Sequence, residues 1–219
     1  GIVGENIVLE KQKQVKIADK LGFGKCRLSV AVDRSVSYNT LADLNGLRIA
    51  TSYPVIVQDF LNRNKIQAEI HEISGSVEIA PGIGLASAIC DLVSSGSTLF
   101  MNGLKEVEVI LRSEAVLVSH SRLNEEQLQL LDKLLFRIRS VKKAKNNKYI
   151  LLNAPNDKLD AIVKILPGMK SPTILPLAAS GWSSVHSVVN EDDFWDIIES
   201  LRMQGAQGIL VVPIEKMIL

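Results

Sequence analysis

The 219 residues are enough to bury a sizeable core and to form more than one domain. Hydrophobic residues make up 47% of the chain, which argues against a disordered protein, while a net charge of +1 and 5% aromatic residues argue against nucleic-acid binding. The sequence contains no apolar run of transmembrane length and no secretory signal, and its two cysteines fit a reducing compartment. We therefore expect a cytoplasmic protein without a membrane partner.

The first twenty residues predict little regular structure. Residues 1–6 are typical of the end of a buried strand that continues into a loop, and residues 7–20 predict a short helix followed by a loop. Because no initiator Met precedes this strand end, we expect the chain to begin inside a domain.

Strands then alternate with helices. The predicted strands are 26–32, 47–51, 67–73 and 88–93, and the predicted helices are about 55–64 and 77–87. This order predicts a mostly parallel sheet with right-handed crossovers. Ligands of such sheets bind beyond the carboxyl ends of the strands, where the polar segments Thr51–Tyr53, Ser74–Glu78 and Asp91–Thr98 fall.

The segment from Asp91 to Thr98 has the composition of a phosphoribosyl site. Three serines, a glycine and a threonine let the backbone approach a phosphate, and Gly96 tolerates positive φ. A helix that begins near Thr98 would add a favourable dipole. Asp91 would accept hydrogen bonds from a ribose diol. The alternative is a solvated, serine-rich turn after a strand.

The rest of the chain predicts a strand pair, a long helix and a separate small domain. The pair lies at 107–110 and 114–118, and an amphipathic helix spans 125–140 with Asn124 as its cap. Four lysines at 142–148 are typical of the solvated end of a helix, the alternative being an anion patch. From residue 148 the order β-α-β-β-α-β predicts a ferredoxin-like domain.

Four segments together resemble the long form of the ATP phosphoribosyltransferase family. They are Ile49–Pro54, Gly75–Glu78, Asp91–Leu99 and Ser171–Leu177. The resemblance implies an α/β protein with a two-lobed catalytic region like a type II periplasmic binding protein, and a C-terminal ferredoxin-like regulatory domain. It also implies that the opening strand, helix and strand of the first lobe are absent. The implied domains are 1–32 with 113–145 (partial first lobe), 33–112 (second lobe) and 146–219 (regulatory domain).

The implied reaction is the first step of histidine biosynthesis. Adenine N1 of ATP attacks the ribose of phosphoribosyl pyrophosphate, which gives N1-(5-phosphoribosyl)-ATP and pyrophosphate. Positioning, Mg²⁺ and loop N–H groups would suffice for catalysis, so no catalytic side chain is assigned. The histidines His71, His120 and His186 are scattered and give no zinc pattern, and the metal ligands stay unassigned.

The resemblance also assigns binding residues. Phosphoribosyl pyrophosphate is expected at Asp91, Ser94, Ser95, Gly96, Ser97 and Thr98. Residues near the nucleotide are expected to be Glu5, Asn6, Tyr53 and Glu78, with Glu5 and Asn6 on a loop. Tyr53 as a core tyrosine and Glu78 as a helix N-terminal charge are the structural alternatives.

Histidine is the expected inhibitor. Its implied site is formed by Asn153, Met169, Thr173, Val188 and Gly208, which we expect to converge at one edge of the ferredoxin-like sheet. Ordinary packing is the alternative for the two apolar members. The family also implies a homo-oligomer, from dimer to hexamer. Two other functions stay open: a two-lobed solute-binding protein, and a non-catalytic, amino-acid-sensing allosteric subunit.

Overall fold

The computed structural model describes residues 1–166 and 171–218, and the chain forms two compact units, Gly1–Asn124 and Glu125–Leu219. The elements of the first unit are β1 (Ile2–Gly4), α1 (Glu5–Lys11), β2 (Val15–Lys20), β3 (Cys26–Asp33), β4 (Arg48–Thr51), α2 (Pro54–Asn64), β5 (Glu69–Glu72), β6 (Ala88–Val93), α3 (Ser97–Met101), β7 (Leu104–Ser113) and β8 (Ala115–His120). In the part that is described, no helix is long and apolar enough to cross a membrane.

The first unit holds two sheets, one for each lobe. The smaller has the order β1-β8-β2 and is antiparallel throughout. The larger has the order β5-β4-β6-β3-β7, in which β4 runs parallel to β5 and β6 while β3 runs antiparallel to β6 and β7. The expected mostly parallel sheet is thus confined to three strands. The predicted pair at 107–110 and 114–118 is wrong, because the chain leaves the larger sheet at Ser113 and enters the smaller one at Ala115.

Four local predictions also differ from the structure. Residues 5 and 6 begin a helix rather than forming a loop, and residues 15–20 form a strand. The helix predicted over 77–87 is only a 3-10 turn, Val77–Ile79, because Pro81, Gly82 and Gly84 disfavour helix continuation. Residues 26–32, expected in the first lobe, lie in β3 of the larger sheet.

The larger sheet is packed on both faces, as strand alternation requires. On one face Leu28, Val30 and Ile49 are fully buried together with Val57 and Leu61 of α2. The other face carries a second buried cluster: Ala31, Ala50, Val77, Ala80, Ala86, Ile89, Val93, Leu99 and Leu104. Burial on both faces makes this sheet a rigid support for the loops at its edge.

The second unit contains a long helix and the predicted ferredoxin-like domain. Its elements are α4 (Glu125–Lys145), β9 (Asn147–Pro155), α5 (Leu159–Ile165), β10 (Thr173–Pro176), β11 (Trp182–Asn190), α6 (Glu191–Met203) and β12 (Gln207–Pro213). The antiparallel sheet order is β10-β11-β9-β12. One face packs on α5 and α6 through residues such as Ile150, Val185 and Leu201. As predicted, Asn190 caps α6 by accepting a hydrogen bond from Asp192 N at 2.9 Å.

The lysine-rich segment continues helix α4 beyond its predicted end at residue 140. Lys142, Lys143 and Lys145 lie in its last turn, where cations interact favourably with the helix dipole. Lys148, just beyond the helix, forms an ion pair with Glu191 at 3.0 Å. This arrangement agrees with a solvated helix end.

Candidate substrate site

The parallel strands β4, β5 and β6 end at the same edge of the larger sheet. Tyr53 follows β4, Glu78 follows β5, and the loop Ser94–Gly96 follows β6. The three polar segments therefore meet at one edge, where ligands of open α/β sheets bind.

A cavity of about 280 Å³ lies beside this edge. Its lining includes most of the residues that the sequence assigned to a phosphoribosyl group. The lining residues are Glu78, Ile89, Asp91, Leu92, Val93, Ser94, Ser95, Gly96, Thr98 and Leu99. The structure thus brings Glu78 and Asp91 to the same cavity as the serine-rich loop.

Asp91 lies inside β6, opposite Ser29 of β3, within the strand predicted at 88–93. Its carboxylate oxygen Oδ1 accepts a hydrogen bond from the N–H of Leu92 at 2.7 Å. Burial raises the pKa of Asp91, and the nearby negative charge of Glu78 raises it further, although the bond from Leu92 opposes both. Asp91 is thus a half-buried carboxylate that would gain from polar hydrogens of a ligand.

The loop after β6 has the backbone that its composition predicted. Gly96 has φ of 84°, and helix α3 begins at Ser97, next to the expected start at Thr98. The hydroxyls of Ser95 and Ser97 lie 3.0 Å apart. Because α3 has only five residues, its dipole contributes little. Within the described residues, the N–H groups of Ser95 and Gly96 have no hydrogen-bond acceptor, so they are available to an anion.

Tyr53 and Asn6 belong to a network beside the cavity. Asn6 is buried, its N–H donates to Ser113 Oγ at 3.1 Å, and Ser113 Oγ donates back to Asn6 Oδ1 at 2.9 Å. The pKa of Tyr53 is raised by burial and by the negative charge of Asp91, and nearby Asn6 opposes this shift. These two residues lie near the site without lining its cavity. Glu5 instead forms an ion pair with Lys20 at 2.9 Å.

Arg27, whose role was not predicted from the sequence, contacts the loop from β3. Its Nη1 donates to the backbone oxygen of Ser94 at 2.9 Å, and its other nitrogens bind the carboxylate of Glu106 on β7. Glu106 also accepts a hydrogen bond from Ser29 Oγ at 2.8 Å. Its position as a charged residue within the apolar strand 26–32 was the one feature of the sequence that could have indicated this contact.

Three of the residues assigned to histidine binding, Asn153, Thr173 and Val188, lie on one face of the ferredoxin-like sheet. Asn153 is opposite Ser184 of β11, and Thr173 is opposite His186. Val188 lies two residues after His186 on β11 and so on the same face. This face is opposite the one that α5 and α6 cover. Gly208 has φ of 57°, and a Cβ there would lie 3.1 Å from Asn153 Nδ2. Met169 lies outside the described residues.

These residues are spread over the face rather than gathered at one edge. Val188 is four positions from the partner of Asn153, a separation of roughly 13 Å along a strand. Between them lies His186, whose ring nitrogens are 2.8 Å from Tyr149 Oη and 2.9 Å from Ser184 Oγ. This half-buried histidine is thus held in place by hydrogen bonds on both sides of its ring.

The metal ligands stay unassigned. Among the residues that the structure describes, no group of three or more His, Cys, Asp or Glu side chains could hold a metal ion. His71 contacts Glu69 at 2.9 Å, and His120 contacts the backbone of Arg122.

Comparison with known proteins identifies the family. Residues 1–140 match the family model described as ATP phosphoribosyltransferase, and residues 144–216 match that of the HisG C-terminal domain. This chain belongs to the ATP phosphoribosyltransferase family. It is 57% identical to ATP phosphoribosyltransferase of Cytophaga hutchinsonii over 218 residues, 100% of this chain and 76% of the relative. It is also 57% identical to that of Bacteroides thetaiotaomicron, 77% of which is covered.

A solved structure agrees on the fold. The ATP phosphoribosyl transferase (HisG:HisZ) complex from Thermotoga maritima matches with a TM-score of 0.55 and 24% identity, over 62% of this chain and 66% of that one. The α/β architecture with a two-lobed catalytic region and a C-terminal regulatory domain is thus confirmed. The family's enzymes are pentosyltransferases that catalyse the first step of histidine biosynthesis, which favours the transferase over the two alternative functions.

Proposed function

We propose that the cavity beside β6 binds the phosphoribosyl group of phosphoribosyl pyrophosphate. The observation that carries the proposal is the meeting of the Asp91 carboxylate with the serine-rich loop in one cavity of about 280 Å³. The free N–H groups of Ser95 and Gly96 and the hydroxyls of Ser94 and Thr98 suit the 5-phosphate. Ser97 does not line the cavity and would act through its hydroxyl contact with Ser95. Asp91 suits the ribose hydroxyls, because a carboxylate accepts two hydrogen bonds that a phosphate cannot offer.

Adenine N1 of ATP would then attack ribose C1 as pyrophosphate leaves. In this scheme the loop holds the 5-phosphate and Asp91 holds the ring, so both fix C1 relative to the incoming adenine. The ribose gains oxocarbenium character, and the carboxylates of Asp91 and Glu78 contribute negative charge near it. No side chain has to form a covalent bond.

The nucleotide would approach from the side of Tyr53 and Asn6. The phenol of Tyr53 lies near Asp91, which supports a contact between this ring and the adenine or its ribose. Glu5 lies next to Asn6 on α1 but forms an ion pair with Lys20, so it would contact the nucleotide only after this ion pair opens.

Mg²⁺ is the expected cofactor, and the carboxylates present are compatible with it. Glu78 and Asp91 are like charges at one cavity, and Mg²⁺ is commonly held by one or two carboxylates together with substrate phosphates. These two residues would hold it, and when bound it would neutralise charge on the pyrophosphate group.

Histidine would act at the open face of the ferredoxin-like sheet. Thr173 offers a hydroxyl, Asn153 offers an amide, and Gly208 leaves room beside that amide. Because Val188 lies far from Asn153, we expect a neighbouring subunit to complete the pocket. Leu175, Leu210 and Val212 on this face are 50%, 60% and 44% exposed, which supports association between copies as a homo-oligomer.

Isothermal titration calorimetry tests the site, and an assay of pyrophosphate release tests the reaction. Phosphoribosyl pyrophosphate and ribose 5-phosphate should both bind, and both should bind more tightly than inorganic phosphate, because only the sugar phosphates contact Asp91. Equal affinity for ribose 5-phosphate and phosphate would contradict the role of Asp91. Pyrophosphate should appear only when ATP, phosphoribosyl pyrophosphate and Mg²⁺ are all present.

A further inference from the structure

The charged side chain of Arg27 donates a hydrogen bond to the backbone of the loop Ser94–Gly96. Its guanidinium spans two partners, the carboxylate of Glu106 on β7 and the backbone oxygen of Ser94, to which Nη1 donates at 2.9 Å. Arg27 itself does not line the cavity. It therefore contacts the loop without lining the ligand space.

The bond to Ser94 determines the direction of the next N–H group. The Ser94–Ser95 peptide is trans, since the described chain contains no cis peptide bonds. In a planar trans peptide the C=O and the following N–H point in opposite directions. With the Ser94 oxygen directed at Arg27, the N–H of Ser95 points away from Arg27, and Ser95 is one of the residues that line the cavity.

The charge of Arg27 is already compensated. Nη2 lies 2.6 Å from Glu106 Oε2, and this two-pronged pairing lowers the pKa of Glu106 and raises that of Arg27. Ser29 donates to the same carboxylate, which fixes the position of Glu106 within the sheet. Arg27 alone thus anchors the loop backbone, while Glu106 neutralises its charge, so the pair contributes little net charge to the site.

We propose that Arg27 is a positioning residue for substrate binding: through Ser94 it aims the Ser95 N–H at the 5-phosphate. The inference depends on the proposed function of the loop and names a residue that acts without touching the substrate. A lysine at this position has one charged nitrogen and does not reproduce the fork that reaches both Glu106 and Ser94.

Two substitutions in the same ion pair separate positioning from stability. Arg27→Gln removes the bond to Ser94 and the pairing with Glu106, whereas Glu106→Gln weakens the pairing and leaves the bond to Ser94 in place. We expect Arg27→Gln to raise the Kd and KM of phosphoribosyl pyrophosphate by roughly tenfold or more, with the KM of ATP nearly unchanged. Glu106→Gln should lower Tm by a comparable amount but change that Kd by less than about threefold.

If Arg27→Gln folds poorly, Arg27→Lys replaces it in the test. Arg48→Gln is the control variant. Lysine keeps the charge, so we expect a folded protein with an intermediate loss of affinity. Arg48 also donates to a backbone oxygen, that of Gly84, but far from the loop, so its variant should bind normally. Equal losses of affinity in Arg27→Gln and Glu106→Gln at equal Tm would overturn the proposal.

Failure of the loop assignment gives a different result. If Gly96→Val binds phosphoribosyl pyrophosphate as the unaltered chain does, the loop is not the phosphate site and the inference falls with it. If Gly96→Val abolishes binding while folded Arg27→Gln binds normally, the loop assignment holds and the positioning role of Arg27 is wrong.

Discussion

Glu10 accepts a hydrogen bond at 3.1 Å from the backbone N–H of Ile56, and its second oxygen accepts one from Val55 at 3.1 Å. Glu10 lies on α1, beside the smaller sheet, and the two N–H groups begin α2, which packs on the larger sheet. The N-cap residue of α2, Tyr53, provides no side-chain cap. A buried carboxylate from the other lobe therefore caps the helix that follows Tyr53.

We expect Glu10→Ala to destabilise the chain by about 1–3 kcal/mol, because two N–H groups, one of them buried, lose their acceptor. Glu10→Gln keeps one acceptor oxygen and should cost less. Urea unfolding followed by circular dichroism measures both. The control is Glu126→Ala, an exposed residue in the first turn of α4, which should change stability by no more than about 0.5 kcal/mol. Equal effects of Glu10→Ala and Glu126→Ala would contradict the capping role.

Gly96→Val should abolish binding of phosphoribosyl pyrophosphate. A Cβ at this position would meet only Val93 and Arg27, at 3.8 and 4.0 Å, so the conflict comes from φ of 84° and not from crowding. Valine disfavours this conformation by about 1–2 kcal/mol and would change the path of the loop backbone. Calorimetry measures the loss of binding.

Gly46→Val is the matched control for this prediction. Gly46 has φ of 76° with no atoms near its missing Cβ, and it lies in the turn before β4. Both variants should therefore lose similar stability in thermal unfolding, while only Gly96→Val loses the ligand. Loss of binding in both would indicate a general effect of destabilisation.

Asp91→Asn should weaken phosphoribosyl pyrophosphate binding more than tenfold, since charge-assisted hydrogen bonds contribute about 1.5–3 kcal/mol. Inorganic phosphate should bind as before or better, because a negative charge is removed from the cavity. The amide oxygen still accepts from Leu92, so the loop should keep its geometry. If calorimetry shows that phosphate binding falls equally, Asp91 supports the loop and does not bind ribose.

The same variant should be more stable than the unaltered chain at neutral pH. Burial raises the pKa of Asp91 above the ordinary value of 3.8, so the folded chain favours its protonated form. That contribution is present below pH 3.8 and is lost as the pH rises through the raised pKa. Thermal unfolding from pH 3 to 8 should thus show equal stability at the acid end and an advantage for Asp91→Asn above it. If Asp91→Asn shows no such advantage, ionisation of Asp91 does not destabilise the folded chain.

Part of this architecture was predictable from the sequence because it depends on local patterns. Alternation of apolar residues identified β3, β4 and β6, and composition identified the loop around Gly96. The antiparallel orientation of β3 in the larger sheet was not predictable. It depends on the path of the chain between strands and not on the residues of β3 itself. The short helix predicted within 7–20 begins earlier, at Glu5, because Gly4 gives α1 no side-chain cap that would mark its start.

The contacts that organise the site are long-range and were beyond local analysis. Arg27 reaches Ser94 across 67 positions, and Asn6 reaches Ser113 across 107. Arg27 lies near Ser94 because β3 and β6 are neighbours in the larger sheet. Asn6 lies near Ser113 because the chain passes from the larger sheet to the smaller one after β7. Composition identified the residue types that suit the ligand, whereas the side chains that support them required the fold.

The proposed inhibitor site gives a prediction on the open sheet face of the second unit. Thr173 is exposed on the edge strand β10, so Thr173→Ala removes a hydroxyl without opening a core cavity. We expect histidine inhibition of pyrophosphate release to weaken severalfold, with uninhibited turnover nearly unchanged, because the proposal places the effector and substrate sites apart and links them through two states. Thr40→Ala, which removes a capping box in the first unit, should lower stability by about 1 kcal/mol but leave inhibition intact. Inhibition that survives deletion of residues 146–219 would show that histidine acts elsewhere.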